Sequence, residues 1–257
     1  MVINGLLSEE RLLDALTRTL GLKAKLGFHR KSIDEMFLPK EDAMARIGEE
    51  DNKKIYDEIT DKSITLVREE EGILPISTER FKRILIVDVA GEKGGFGAML
   101  GGGNKASDKL AEELRAKGFE VKKFVNALDK MKDLPAEEMK AAVANVYAQK
   151  APISGLTDYY DLIINVADVN PGTVQRPVWP ASKGTSDIPF YVHEVPTIFI
   201  SVQCPYHLAD VPQVKTYINT YDSNDRCMEI LADKLVGKTE FTGVSKIDVF
   251  CGNLTDL

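Results

Sequence analysis

The sequence is poor in the features that most often mark a specialised class of protein. It has three cysteines, an odd number with no CxxC pair, so the pattern of a disulfide framework is missing. No apolar run approaches the roughly eighteen residues that a membrane span needs, and the N-terminus lacks a cationic segment followed by an apolar one. These absences favour a cytoplasmic protein with no membrane partner.

An excess of basic residues is also missing. The chain has 33 Lys and Arg against 40 Asp and Glu, a net charge of -7, and the two signs are interleaved along most of its 257 residues. Proteins that bind nucleic acid usually show a basic stripe, because they must neutralise phosphates. We therefore predict no nucleic-acid partner. Hydrophobic residues make up 44% of the chain, which is ordinary for a globular protein.

What the chain does have is a set of largely apolar predicted strands that are rich in β-branched residues. Thr197 to Val202 carries no charge and is bounded by Pro196 and Pro205, a pattern typical of a strand buried on both faces. The segments Ile84 to Val89 and Asp161 to Ala167 are similar. Strands that are buried on both faces require helices above and below the sheet.

Helical segments alternate with these strands. Further extended segments are predicted at Ser63–Val67, Val121–Val125, Thr216–Tyr221 and Val244–Phe250, and helices are predicted at 52–61 and to begin at Ser107, Pro135 and Ser223. This alternation implies right-handed crossovers and a mostly parallel sheet. The predicted fold class is α/β, a three-layer α/β/α sandwich.

The first helix lies outside that alternation. Ser8 can cap a helix from Glu9 to Lys25 whose leucines recur on one face, and an aperiodic stretch from Lys31 to Lys40 follows it. We predict an orphan helix and linker at residues 1–40 and the sandwich domain at residues 41–257.

The glycine-rich stretch Gly91 to Gly103 lies between a strand and a helix, where a dinucleotide fingerprint belongs. The glycine spacing does not match the G-x-G-x-x-G fingerprint, because the third residue after Gly97 is Leu100 and not a glycine. The predicted strand that follows also has no carboxylate at its end to bind a ribose. A surface loop is favoured over a phosphate site, and no cofactor is predicted.

Cys204 and His207 follow the central strand, three residues apart. They could form a nucleophilic pair or half of a metal site. No third partner stands at a matching spacing, so a buried thiol and a hydrogen-bonded imidazole are favoured. We predict no metal site.

The segment from Asp168 to Glu194 is long for a connection inside a compact domain, which raises the chance that it is functional. It holds Trp179, the single tryptophan, together with Asn170 and Arg176. These three are the predicted substrate-binding residues, because they can stack on and hydrogen-bond a sugar. The alternative, an ordinary crossover with Trp179 packed on the sheet, stays open.

Three segments, SITLVREEEGILPI (63–76), VPTIFISVQCPYHLAD (195–210) and KTYINTYDSNDRCMEILADKLV (215–236), resemble the C-terminal half of glycoside hydrolase family 3 and its bacterial β-N-acetylhexosaminidase branch. The resemblance covers most of residues 60–257. Residues 9–30 also resemble the last helix of the family's N-terminal barrel.

The resemblance implies a (β/α)8-like barrel before the sandwich and a retaining mechanism. In that branch a barrel Asp attacks the anomeric carbon, and a barrel-loop His supported by an Asp is the acid and base. Neither motif occurs here, so no catalytic residue is assigned. The glucosidase branch instead carries its acid/base Glu on the loop after a strand like Asp161–Ala167, where this chain has Asp168 and Asp187 but no Glu before Glu194.

The resemblance predicts an enzyme domain that is inactive without its barrel partner. Its substrate would be an N-acetylglucosamine-containing glycan, bound by the intact enzyme. The alternatives are a noncatalytic support or binding module and, with less support, a nucleotide-binding enzyme.

Overall fold

The computed structural model describes residues 4–89, 105–124, 135, 138–140, 153–168, 189–250 and 252. Its backbone contacts divide the chain into two compact units, Met1–Lys54 and Ile55–Leu257. The predicted boundary between residues 40 and 41 stays a prediction.

The smaller unit begins with helix α1, Glu9–Lys25, with the bounds that the sequence predicts. The Ser8 hydroxyl accepts a hydrogen bond from the Arg11 amide at 3.1 Å, which satisfies one of the free donors of the first turn. Two short 3-10 turns, Phe28–Arg30 and Asp34–Met36, lead to α2, Lys40–Arg46. The sequence did not predict α2, because seven residues make fewer than two turns and show little periodicity.

The larger unit is built on a six-stranded sheet in the order β1-β6-β5-β4-β2-β3. The strands are β1 (Thr65–Glu69), β2 (Arg83–Val89), β3 (Glu120–Lys123), β4 (Leu162–Ala167), β5 (Thr197–Ser201) and β6 (Thr216–Asn219). All neighbouring pairs are parallel except β1 with β6. β4 and β5 lie in the middle with every residue buried, as their uncharged sequences predicted.

Helices cover both faces of this sheet, which confirms the α/β class. The remaining helices are α3 (Glu50–Ser63), α4 (Lys105–Ala116), α5 (Ser154–Thr157) and α6 (Asp225–Leu235). On one face, residues such as Ile84, Ile164 and Ile198 form a core with apolar residues of α4 and α6. On the other face, Ile163 and its neighbours are covered by Leu156 of α5 and by Tyr191.

Three local predictions need correction. α4 begins at Lys105 rather than Ser107. α6 is capped by Asn224 rather than Ser223, since the Asn224 Oδ1 accepts from the Cys227 amide at 2.9 Å. The segment Val244–Phe250, predicted to be extended, pairs with no described strand, and its last two residues form a turn.

Two predicted segments cannot be compared. The helix predicted from Pro135 falls mostly outside the described residues, and the whole glycine-rich stretch from Gly91 to Gly103 lies outside them. The end of α6 agrees with its prediction: Gly237 has φ +74°, and a Cβ there would lie 2.9 Å from the Pro75 Cβ. A side chain at this position would meet both the backbone strain of φ > 0 and a steric clash.

Candidate functional site

The five parallel strands have their carboxyl ends at the same edge of the sheet, which we call the carboxyl edge. The candidate site lies at this edge. The chain passes from β2 to β3 on one side and then returns to β4 on the other side of β2. In open α/β sheets, ligands bind at such a reversal, outside the carboxyl ends of the strands. Of the two sequence segments singled out above, the glycine-rich one follows β2 and the long one follows β4.

Asp88 and Lys123 mark the ends of β2 and β3 at this edge. The Lys123 Nζ donates to Asp88 Oδ2 at 2.9 Å, Ser107 Oγ at 2.8 Å and Asp108 Oδ1 at 2.5 Å. Burial tends to lower the pKa of Lys123, but the hydrogen bonds to Asp108 and Asp88 outweigh it and leave that pKa raised. Lys123 is therefore a fixed cation that neutralises the acidic edge and is unsuited to act as a base.

A second contact ties together the ends of β4, β5 and β6. The Gln203 Nε2, just after β5, donates to Asp168 Oδ1 at 2.7 Å and lies 3.5 Å from Ser223 Oγ. Asp168 is the residue that directly follows β4 and opens the long segment. Gln203 therefore fixes where that segment leaves the sheet.

Changing Gln203 to glutamate replaces the donor with a second carboxylate beside Asp168. We expect the Gln203→Glu variant to lose about 1–2 kcal/mol of unfolding free energy at pH 7, because two like charges face each other without a proton. Adding Asp168→Asn should restore most of it, since the new amide can donate to the new carboxylate. Urea unfolding of both variants measures this, and a double variant no more stable than Gln203→Glu would contradict the contact.

The three predicted substrate-binding residues, Asn170, Arg176 and Trp179, lie outside the described residues. Their role stays a prediction, as does the surface-loop interpretation of the glycine-rich stretch. Asp168 belongs to the described part of the chain, so the structure locates the start of the predicted substrate segment at the carboxyl edge.

Cys204 and His207 do not form a nucleophilic pair in this structure. The His207 Nδ1 lies 2.9 Å from the Ser201 Oγ, and the Ser201 hydroxyl donates to the Cys204 carbonyl oxygen. Because the single proton of Ser201 is used in that bond, the His207 Nδ1 must carry a proton and donate it to Ser201. The Nε2 is then the unprotonated nitrogen, and it has no hydrogen-bond partner among the described residues.

Burial also sets the charge of this imidazole. His207 is 0% exposed, and desolvation lowers its pKa to about 4, so the ring is neutral at pH 7. Its ring contacts Phe199 edge to face, with centroids 6.5 Å apart. In the described part of the chain, no three His, Cys, Asp or Glu side chains are grouped so as to hold a metal ion.

Sequence reasoning missed Gln203 and the pairing of Ser201 with His207. Both Gln203 and Ser201 stand in the central segment that the sequence singled out, so their location at a strand end was a usable signal. Their partners lie 35 and 6 residues away, and no local periodicity connects such positions.

Comparison with known proteins decides the family, although no protein-family model matches the chain. A β-N-acetylglucosaminidase/β-glucosidase of Cellulomonas fimi is 37% identical over 254 residues, which are 97% of this chain and 41% of that protein. The solved structure of the β-glucoside phosphorylase BglX is 34% identical, with a TM-score of 0.68 over 98% of this chain. The chain belongs to glycoside hydrolase family 3.

This family 3 chain spans about two fifths of the relatives that it matches, 41% of the Cellulomonas fimi protein and 40% of BglX. The matching region is their C-terminal part. BglX bound to 2FGlc gives the same result, with 35% identity and a TM-score of 0.67 over 96% of this chain and 40% of that one. The predicted resemblance to the C-terminal part of glycoside hydrolase family 3 is thereby confirmed. Among the described helices, none is both long and apolar enough to cross a membrane.

Proposed function

We propose that this chain is the sandwich domain of a retaining β-N-acetylhexosaminidase and that it is inactive without a preceding (β/α)8-like barrel. The observation that carries the proposal is the 37% identity with the Cellulomonas fimi enzyme over nearly the whole chain. That relative has more than half of its length outside the match, which leaves room for a barrel. The cytoplasmic location stays a prediction.

Helix α1 supports the presence of a partner domain. None of its residues is buried, and its leucine stripe, Leu12, Leu13, Leu16 and Leu20, is between 37% and 62% exposed. Covering one leucine side chain contributes about 1.5–3 kcal/mol, so a helix that leaves four open is far from its most stable environment. We assign this face to the barrel, in line with the resemblance of residues 9–30 to the barrel's last helix.

In this proposal the barrel supplies the nucleophile and the acid/base, and the sandwich shapes access to the sugar. A retaining enzyme forms a covalent glycosyl intermediate that water then hydrolyses. The carboxyl edge of the sheet borders the cleft, with Asn170 and Arg176 as hydrogen-bond donors to the sugar and Trp179 as a stacking surface. Gln203 holds the start of this segment through Asp168.

A second candidate reaction is favoured by the match to BglX, a β-glucoside phosphorylase. There inorganic phosphate takes the place of water, and the product is a sugar 1-phosphate rather than the free sugar. The proposed role of the domain is the same in hydrolysis and in phosphorolysis, because both reactions need a cleft for the sugar. The two reactions differ only in whether water or inorganic phosphate attacks the anomeric carbon.

The test compares this chain with a longer protein in which a barrel precedes it, using an aryl N-acetylglucosaminide with and without inorganic phosphate. We expect no turnover by the chain alone and release of free N-acetylglucosamine by the longer protein. Sugar 1-phosphate as the main product would select the phosphorylase. An inactive longer protein would favour a noncatalytic module, and tight binding of NAD or ATP in calorimetry would favour the nucleotide-binding alternative.

In the same longer protein, Arg176→Ala and Trp179→Ala test the substrate-binding residues. We expect each to raise KM at least tenfold. Tyr159→Ala is the control, because this aromatic residue is 64% exposed and precedes β4, at the opposite edge of the sheet. Unchanged KM and kcat in the first two variants would remove these residues from the site.

A further inference from the structure

A second site is suggested by a pocket of about 210 Å³ beside β1 and the end of β6. Val67 and Arg68 of β1 form one wall, and Leu208 of the segment that follows β5 forms another. Residues of the segment 245–250 also line the pocket. All of these residues belong to the larger unit, and none belongs to the predicted substrate segment.

The segment 238–250, which we call the tail, is held in place on its way to this pocket. The Glu240 carbonyl accepts from the Lys234 Nζ at 2.6 Å. Gly243 packs so closely on the start of β1 that a Cβ would lie 2.5 Å from the Thr65 Oγ1 and 2.7 Å from the Ile64 carbonyl oxygen. The pocket therefore depends on a glycine that lets the tail lie against the sheet.

Asn219 is the polar residue in the pocket whose hydrogen bonding is incomplete. It is 2% exposed, and its Oδ1 has no hydrogen-bond partner among the described residues. A buried polar atom without a partner costs about 1–3 kcal/mol, so a group that supplies one is stabilised there. Rotation of the amide exchanges its donor and acceptor, and a hydroxyl group, which both donates and accepts, satisfies either orientation.

The charged side chains of the pocket already form hydrogen bonds with the protein backbone. The Arg68 Nη1 donates to the carbonyls of Pro212 and Val214 at 2.7 and 3.1 Å. The two carboxylate oxygens of Asp248 accept from the amides of Phe250 and Gly252 at 2.9 and 2.5 Å. An ionic ligand would have to compete with these bonds, so the pocket favours a neutral molecule.

We propose that this pocket binds a neutral, hydroxylated ring of monosaccharide size, at a site separate from the catalytic cleft. A ring of this kind has apolar C–H faces that pack on Val67, Leu208 and Phe250, and hydroxyls that meet the Asn219 amide. The volume of about 210 Å³ admits one sugar ring. The site is formed within this chain, so the proposal does not depend on the reaction proposed above.

The experiment titrates this chain with D-glucose and with N-acetylglucosamine and follows backbone amide signals by NMR. We expect a Kd on the order of 1–10 mM for at least one of them, with the largest shifts at residues 219 and 245–250. Inorganic phosphate is the ionic control. No binding of either sugar up to about 100 mM, or binding of phosphate in their place, would overturn the proposal.

Two variants locate the site. Asn219→Leu should weaken binding at least tenfold while leaving Tm unchanged or raised, because it removes an acceptor that has no partner. Gly243→Ala should weaken binding and speed cleavage by trypsin after Lys246, because the added Cβ displaces the tail. Val244→Ala, at a neighbouring side chain that is 71% exposed, is the matched control and should bind normally. Sugar binding that survives Asn219→Leu but is lost in Trp179→Ala would refute this site.

Discussion

Replacing Lys234 with alanine is expected to lower the free energy of unfolding of this chain by about 3–4 kcal/mol. The Lys234 side chain is 0% exposed although it is charged, and it bonds Asp61 Oδ1 at 2.7 Å and the Glu240 carbonyl at 2.6 Å. Its Nζ also lies 5.8 Å from the ring centroid of Phe241. Alanine removes the apolar stem, the ion pair and the anchor of the tail together.

Two further lysine variants separate these contributions. Lys234→Met keeps most of the apolar stem and loses the charge, so we expect a smaller loss of about 1–2 kcal/mol. Lys238→Ala removes a lysine that is 68% exposed and pairs with Asp233, and we expect less than about 1 kcal/mol. Urea unfolding of the three variants measures this order. Equal effects of Lys234→Ala and Lys238→Ala would show that the burial of Lys234 contributes nothing.

Acid is expected to destabilise the chain through His207. The pKa of His207 is about 4 in the folded protein and about 6.5 in an unfolded chain, so between these values the unfolded state binds the additional proton. The stability that His207 contributes is therefore complete above pH 6.5 and is lost as pH falls toward 4. The expected loss is about 3 kcal/mol at pH 4.

The His207→Asn variant isolates this effect from other titrating groups. An asparagine amide can still donate to Ser201 but does not titrate, so the difference in stability between wild type and variant should shrink by about 3 kcal/mol from pH 7 to pH 4. His193→Asn, the same substitution at an exposed histidine, is the matched control. Parallel pH profiles for wild type and His207→Asn would contradict the burial of a neutral imidazole.

The sequence predicted the elements whose signal is local. Thr197–Ser201 and Leu162–Ala167 lack charge along their whole length, and a strand without a polar face has to be covered on both sides. Ser8 and the leucine periodicity bounded α1 correctly, because both the cap and the stripe are read within a few residues. The family resemblance depends on the same segments.

The local signal failed where neighbouring residues compete for one role. Ser223 and Asn224 are both good N-cap residues for α6, and the structure uses Asn224. This choice follows from the position of Asp222, whose Oδ2 accepts a hydrogen bond from the Tyr56 hydroxyl at 2.8 Å. Tyr56 and Asp222 are 166 residues apart in the sequence, so their contact leaves no local pattern.

By itself, the sequence determined the α/β class, the strands of the sheet and the family to which the chain belongs, because these follow from hydrophobic periodicity and from motifs read along the chain. Tertiary structure alone decided which polar side chains are buried and what they meet: Lys234 under the tail, His207 against Ser201, Gln203 on Asp168, and Asn219 in a pocket. The physical reason is that burial and hydrogen bonding join residues that are distant in sequence. A lysine or an asparagine looks the same in the sequence whether it faces water or the core.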